Sequence, residues 1–383
     1  MAEAFKNLIN ADVVQQVGQH LHRVWPHFDQ KAFRQWALTG LDDLEFKARA
    51  QHLSQALAHT LPSDFSQAAD ILERSLKVIC PVPADHDPDQ ELGSLQTDDT
   101  GLGGWALWAF GEYVAKQGID HPERALQALH AITQRFTAEF AIRPFIVAHP
   151  ALTLATINQG AHDPSAHVRR LASEGSRPRL PWGLRLQTLV QDPRPTLGLL
   201  QKLQDDPSEY VRRSVANHLN DIAKDHPVLI VEWLQTHLPD APATRKRLLR
   251  HACRTLIKNG HPGVMAAWGL GTPFSGQAQL VLNTQQVQLG ESLTLTVTLQ
   301  SNSRQAQTLE LDYRVHHVKA NGELSPKTFK GKQITLQPGQ TLVWRKQHPI
   351  KPITTRRYYP GVHRVEIQLN GQSHAQADFD LML

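Results

Sequence analysis

One segment of this 383-residue chain occurs twice, and that repeat restricts the fold more than any other feature. Asp163-Pro164-Ser165, followed by Val168-Arg169-Arg170, returns 43 residues later as Asp206-Pro207-Ser208 and Val211-Arg212-Arg213. A period of that length lies in the HEAT range, where helix pairs stack on their neighbours into a curved solenoid. The register extends in both directions. Arg135, Arg170, Arg213 and Arg247 are each followed four residues on by Glu139, Glu174, Asn217 and His251. His-Pro closes three of these segments, at His149-Pro150, His226-Pro227 and His261-Pro262. The second ends instead in Arg177-Pro178-Arg179-Leu180-Pro181-Trp182. Residues four apart share a helix face, so an arginine column should run beside a Glu/Glu/Asn/His column across consecutive repeats. In the third repeat Val215, Leu219 and Ile222 form the packed stripe, which puts Arg213, Asn217, Asp221 and Lys224 on the opposite, exposed side.

Apolar residues keep a helical period to about residue 270, with His-Pro, Asp-Pro and Gly-rich breaks between segments. Pro81 to Gly104 is acidic and rich in Pro and Gly, which predicts a long loop before a helix beginning near Trp105. Beyond residue 272 the period changes to two. Leu293, Leu295, Val297 and Leu299 alternate with polar residues, as do Leu309, Leu311, Tyr313 and Val315, and later Val365, Ile367 and Leu369. Asn321-Gly322 and Asn370-Gly371 are hairpin-turn dipeptides. About 110 residues of short alternating strands predict an immunoglobulin-like β-sandwich. The fold class is therefore mainly α with a β domain: a HEAT-like α-solenoid over 1–271, then an immunoglobulin-like β-sandwich over 272–383. The boundary falls around Gly269 to Gly276.

Several function classes drop out. Hydrophobic residues make up 40% and charged residues 20%, which excludes a wholly disordered chain. No apolar run approaches the roughly 20 residues of a membrane span, and the N-terminal MAEAFKNLINADVVQQ lacks a signal-peptide core, so a cytoplasmic protein is expected. Two cysteines, Cys80 and Cys253, make neither a disulfide framework nor a Cys-rich zinc site. Without a P-loop, an HExxH or a GxGxxG opening a helix, no cofactor and no metal are expected. The net charge of +4 hides an asymmetry. Residues 1–134 carry ten Lys and Arg against eighteen Asp and Glu, residues 135–261 eighteen against eleven, and residues 262–383 twelve against seven. A basic remainder behind an acidic leading third points to a polyanionic partner, although arginine-rich helical surfaces also serve solubility.

Guanidinium forks suit phosphates. The candidates in the helical region are Arg143, Arg177, Arg179, Arg212, Arg213, Lys224, Arg245, Arg247, Arg250 and Arg254. In the strand region they are Arg345, Lys346, Arg356 and Arg357, beside Lys351, Tyr358 and Tyr359, which would clamp a polyanion's backbone. For Glu139 and Glu174 the plain alternative is an i,i+4 helix pair with Arg135 and Arg170, worth about 0.3–0.5 kcal/mol. Two carboxylates stacked in a positive groove nonetheless oppose phosphate binding, so they need another cation nearby or a chemical task. Trp182, in a Pro-flanked turn, is either core or an indole face for a cation. Trp105, Trp108, Trp233 and Trp268 fit helical core positions. The histidines show no ligand spacing.

At this point a resemblance emerges. Ala172-Ser173-Glu174-Gly175-Ser176-Arg177-Pro178-Arg179-Leu180-Pro181-Trp182 resembles a signature of bacterial DNA alkylation-repair glycosylases with HEAT-like repeats. Glu139-Phe140-Ala141-Ile142-Arg143-Pro144-Phe145 and the Val215 to Pro227 segment resemble the same family. The C-terminal sandwich is similar to the AlkC branch rather than the sandwich-lacking AlkD branch. The resemblance implies a monofunctional glycosylase that removes cationic N3-alkylated bases (3-methyladenine and 3-methylcytosine) from double-stranded DNA, without full base flipping, leaving an abasic site. It implies catalytic roles for Glu139 and Glu174, a supporting catalytic role for Asp221 and a lesion-contacting role for Trp182. A nucleoid-associated monomer with no cofactor and no membrane partner is expected. The competing readings are a non-catalytic HEAT-repeat nucleic-acid-binding scaffold and an alkylation-damage sensor, neither of which requires the paired glutamates or the RPRLPW turn.

Overall fold

The computed structural model describes residues 5–79, 96–353 and 356–383, among which lie sixteen α-helices and eight β-strands. They form two compact units, Met1–Asp225 with Ala243–Ala252, and His226–Pro242 with Cys253–Leu383. No helix among the described residues is long and apolar enough to cross a membrane.

In the first unit the leading helices start where a side chain satisfies an otherwise unpaired N–H. Asn10 accepts from Val13 N at 3.0 Å, Asp29 from Ala32 N at 2.9 Å and Asp64 from Gln67 N at 2.8 Å. These open the helices Ala11–Val24, Gln30–Leu38 and Phe65–Ser75, while Phe46–Thr60 packs against Gln30–Leu38 and Ala106–Gln117 with Leu53 and Leu57 buried. Most of the expected Pro81 to Gly104 loop lies outside the described residues, as does Cys80. Its end forms a short bridge, Leu102 N donating to Ser75 O and Lys77 N to Leu102 O, both at 2.9 Å. The helix Ala106–Gln117 follows, one residue after Trp105.

The repeated motif has a repeated structure. Asp163 accepts from Ser165 N at 2.8 Å and Asp206 from Ser208 N at 2.9 Å. These turns open the helices Ala166–Gly175 and Glu209–Asp225. The first arginine of each Val-Arg-Arg triplet folds back onto its own turn. Arg169 Nη1 donates to the Asp163 and Pro164 carbonyls at 2.9 and 2.8 Å, and Arg212 Nη1 to those of Asp206 and Pro207 at 2.5 and 2.7 Å. Arg169 also forks onto the Asp206 carboxylate, at 2.6 and 3.0 Å, and so ties one repeat to the next. Val168 and Val211, just before each arginine pair, are buried.

Val215, Leu219 and Ile222 pack as the helical period predicts. Asp221 departs from the expected exposed side and is buried. The Glu209–Asp225 helix is walled on several sides, by Ala166–Gly175, Arg194–Leu203 and Ala243–Ala252, so more than one stripe of it is covered.

In the second unit the strands are β1 (Gly276–Leu282), β2 (Gln286–Gln288), β3 (Ser292–Ser301), β4 (Gln307–Val318), β5 (Leu324–Leu336), β6 (Thr341–Pro349), β7 (Gly361–Leu369) and β8 (Gln372–Met382). They form two sheets, ordered β1-β3-β6 and β2-β8-β7-β4-β5. Every apolar residue of the predicted alternating runs on β3, β4 and β7 is buried in their shared core. Asn370 and Gly371 have φ of 51° and 78°, the positive pair required by the two-residue turn between β7 and β8. The helix-to-strand change thus falls near Gly276. The helices Pro227–His237, Arg254–Lys258 and Pro262–Ala267 belong to this second compact unit, which begins earlier in the chain than the strands do. Cys253 is buried here, its sulfur accepting from Trp268 Nε1 at 3.2 Å.

Candidate active site

Three carboxylates and three cations alternate through the first unit. Glu139 Oε2 accepts from Arg170 Nη1 at 2.5 Å, and Arg170 Nη2 lies 3.9 Å from Glu174 Oε1. Arg177 Nη1 donates to Glu174 Oε1 at 2.5 Å, and Arg177 Nε to Asp221 Oδ2 at 2.8 Å. Lys224 Nζ closes the series on Asp221 Oδ1 at 2.9 Å. Glu139, Glu174 and Asp221 are 8%, 6% and 1% exposed. Carboxylates so withdrawn from water require such partners.

The row positions explain the pairing. Glu139 is not on a helix; it sits in the turn between the helices Pro122–Thr133 and Arg143–Ala148. The expected Arg135–Glu139 helix pair is therefore not formed. Arg135 donates instead to the Lys77 and Ala131 carbonyls at 2.8 and 2.9 Å, and Glu139 takes its cation from the following repeat. Thr137 Oγ1 also donates to Glu139 Oε2. Among the described residues nothing donates to Glu139 Oε1. Both oxygens of Glu174 are committed, Oε2 accepting from Ser214 Oγ at 2.6 Å, and so are both of Asp221.

Burial alone would lower Arg170, yet the Glu139 carboxylate, with Tyr210 and Glu174, holds it above the ordinary guanidinium range. Arg177 is raised in the same way, Glu174 and Asp221 outweighing its burial. Burial pushes the His218 imidazole down to about 4; its Nδ1 lies 2.9 Å from Ser173 O and its Nε2 3.4 Å from Thr196 Oγ1, beside the Glu174 segment.

Trp182 is 77% exposed, with φ of 62°, a left-handed conformation that a bulky side chain adopts at a cost. Its turn is pinned from several directions. Arg143 donates to Leu184 O at 2.6 Å and Gly175 O at 2.8 Å, and Leu186 N to Pro178 O at 3.2 Å. Arg179 forks onto Asp225 with both bonds at 2.7 Å, while Lys47 Nζ reaches Trp182 O at 3.4 Å. Of the tryptophans assigned to the core, Trp108 and Trp233 are buried whereas Trp105 and Trp268 are only half-buried.

The phosphate candidates separate into groups. Arg143 is fully buried and braces the Trp182 turn, so it is withdrawn from phosphate contact; burial, with Arg177 nearby, lowers it to about 10. Arg177 is likewise buried between two carboxylates, and Arg212 is turned onto its own repeat turn. Arg179 and Arg245 hold Asp225 and Asp205. Arg213 and Arg247 are exposed and Arg250 is half-buried in the first unit, as is Arg254 in the second. Lys224 is exposed although bonded to Asp221. In the second unit Arg345, Lys346, Lys351 and Arg357 are exposed and Arg356 is half-buried, with Arg357 over the Tyr359 ring at 5.5 Å. No group of three or more His, Cys, Asp or Glu among the described residues is arranged to hold a metal.

Sequence reasoning did not single out Thr137, Tyr210 or Ser214, and it treated Arg170 only as a helix partner of Glu174. Ser214 carried a signal, since it stands where the preceding repeat has Leu171, a polar break in an apolar position. Thr137 carried none.

The whole chain is similar to the solved structure of Pseudomonas fluorescens alkylpurine DNA glycosylase AlkC bound to DNA containing an abasic site analog. The match covers 100% of both chains, with a TM-score of 0.88 and 34% identity. Uncharacterized protein YhaZ of Bacillus subtilis (strain 168) is 33% identical over 382 residues, 98% of this chain and 99% of that one. The chain belongs to the AlkC family. Residues 277–383 of this AlkC-family chain also match the family model of the C-terminal Ig-like domain of YhaZ.

Proposed function

We propose that this chain is a monofunctional DNA glycosylase for alkylated bases, hydrolysing the N-glycosidic bond of cationic N3-alkylated adenine and cytosine in double-stranded DNA without full base flipping. The observation that carries the reading is the row of buried carboxylates ending in an open Glu139 oxygen, in the unit that exposes Trp182, within a chain similar throughout to an alkylpurine DNA glycosylase.

A base alkylated at N3 carries positive charge and departs neutral, so it needs little general-acid help. Breaking its bond builds positive charge on the deoxyribose, as in glycoside hydrolysis. A fixed carboxylate beside that sugar stabilises the developing charge and orients water. Glu139 Oε1 is the oxygen available for both tasks. Glu174, with both oxygens committed, contributes its field, and Asp221 supports it through Arg177. Trp182 meets the cationic lesion or its sugar by face contact. Residues 1–271 supply the chemistry and residues 272–383 clamp the DNA backbone through Arg345, Lys346, Arg356 and Arg357. The chain acts as a cytoplasmic monomer at the nucleoid, without a cofactor.

The test is base release from methylated DNA, read chromatographically as free methylated adenine and cytosine. Wild type should release both, whereas Glu139→Gln and Glu174→Gln should bind DNA but lose rate. Binding without release by the wild type would favour a damage sensor or scaffold instead.

A further inference from the structure

Arg169 and Arg170 are neighbours with different surroundings. Arg169 fastens the repeat turns, whereas Arg170 lies on the other side of the same helix among groups from three successive segments. Its Nη1 donates to Glu139 Oε2 at 2.5 Å and to Thr137 Oγ1 at 3.0 Å, both in the turn that precedes its repeat. Its guanidinium carbon stands 4.8 Å from the Tyr210 ring centroid, and Tyr210 belongs to the next repeat. His167, one turn earlier on the helix of Arg170, braces that ring edge-on at 5.8 Å. The residue equivalent to Arg170 one repeat later, Arg213, has a 68% exposed side chain and only a 3.8 Å approach to Glu209. The same repeat position is thus a surface cation in one row and a half-buried, oriented one in the other.

We propose that Arg170, seated on Tyr210, is the positioning residue of this site: it grips Glu139 by one oxygen so that the other faces the reacting sugar. The proposal rests on the reading of Glu139 as the carboxylate nearest the chemistry. A glutamate in a turn has three rotatable side-chain bonds and no helix to restrict them. Two donors, Arg170 and Thr137, converge on Oε2, which fixes where Oε1 points. The guanidinium is itself fixed by its fork geometry and the flat ring beneath it. It also separates Glu139 from Glu174, whose negative charges would otherwise repel. The Glu139 carboxylate also interacts with Arg143, and the guanidinium of Arg170 acts on Tyr210 and His167. Without Arg170 the remaining cations sit on Glu174, Asp221 and the Trp182 turn, so Glu139 loses its own and with it the grip on Oε2.

Single-turnover excision of 3-methyladenine from an oligonucleotide duplex, with DNA affinity measured alongside, tests this. Arg170→Gln should slow excision about 100-fold, the scale of a misplaced reacting group. Its affinity for DNA containing an abasic-site analogue should stay near wild type. Arg170→Lys should recover part of the rate, since an ammonium holds one oxygen without the fork. Tyr210→Phe, which keeps the ring but loses the hydroxyl's bond to Arg170, should retain more of the rate than Tyr210→Leu. Wild-type rate in Arg170→Gln would overturn the proposal, as would equal losses of rate and DNA affinity. Where Arg170→Gln fails to fold, equal rates for Tyr210→Phe and Tyr210→Leu overturn it. Wild-type excision by Glu139→Gln would instead remove the underlying reading of the site.

Discussion

Two copies of one motif, in different surroundings, allow an internal comparison of stability. The Asp206 side chain is 3% exposed and accepts from Ser208 N and from the fork of Arg169, whose own side chain is 12% exposed. The equivalent Asp163 is 19% exposed and is met from the preceding segment by His130, itself 48% exposed, at 2.8 Å. Arg169→Met removes the cation but leaves a buried carboxylate and two turn carbonyls short of donors. Breaking a buried pair in this way costs about 3–5 kcal/mol. His130→Ala removes an exposed partner, which costs at most about 1 kcal/mol. Urea unfolding followed by circular dichroism should resolve the difference as a lowered midpoint at similar slope. Asp206→Ala combined with Arg169→Met should cost less than the sum, with a coupling of about 0.5–3 kcal/mol, because each single change strands the other group. Equal destabilisation by Arg169→Met and His130→Ala, or strict additivity in the double variant, would refute the reasoning.

Two further outcomes follow from the site. Trp182→Gly relieves a left-handed backbone and uncovers no core, so it should leave stability within about 1 kcal/mol of wild type while lowering excision; a large stability loss by thermal unfolding would contradict the exposed placement. His218 is neutral when buried, with its folded value at about 4 against 6.5 for the free side chain. Between those values only the unfolded chain takes up the proton, so its contribution is complete above pH 6.5 and is lost as the pH falls towards 4, amounting to about 3 kcal/mol. His218→Phe should flatten the stability profile in that window, and an unchanged slope would exclude the assignment.

The architecture was legible because both of its periods are short and regular. The Asp-Pro-Ser turn marks each repeat, and alternation along β3, β4 and β7 marks a half-buried sheet. The candidate site was legible at Glu139, Glu174, Asp221 and Trp182 as positions, but not as an arrangement. Helical spacing assigned Glu139 to Arg135, because sequence does not show that the helix stops at Thr133. Asp221 was placed in solvent because a single amphipathic stripe presumes one covered face, while this helix has neighbours on several sides. Adjacent arginines are indistinguishable in sequence. Only their different directions from one helix, about 100° apart, make Arg169 a fastener and Arg170 a clamp.

That division within the Val-Arg-Arg triplet makes the solenoid a ruler. The fastening arginine sets the stacking of one repeat on the next, and the helix backbone then carries the second arginine at a fixed offset from it. Stacked helices lie about 8–10 Å apart, so the second arginines recur at a pitch dictated by packing. A one-residue insertion between Val168 and Arg169 would turn both arginines about 100° round the helix, taking the joint off Asp206 and the clamp off Glu139.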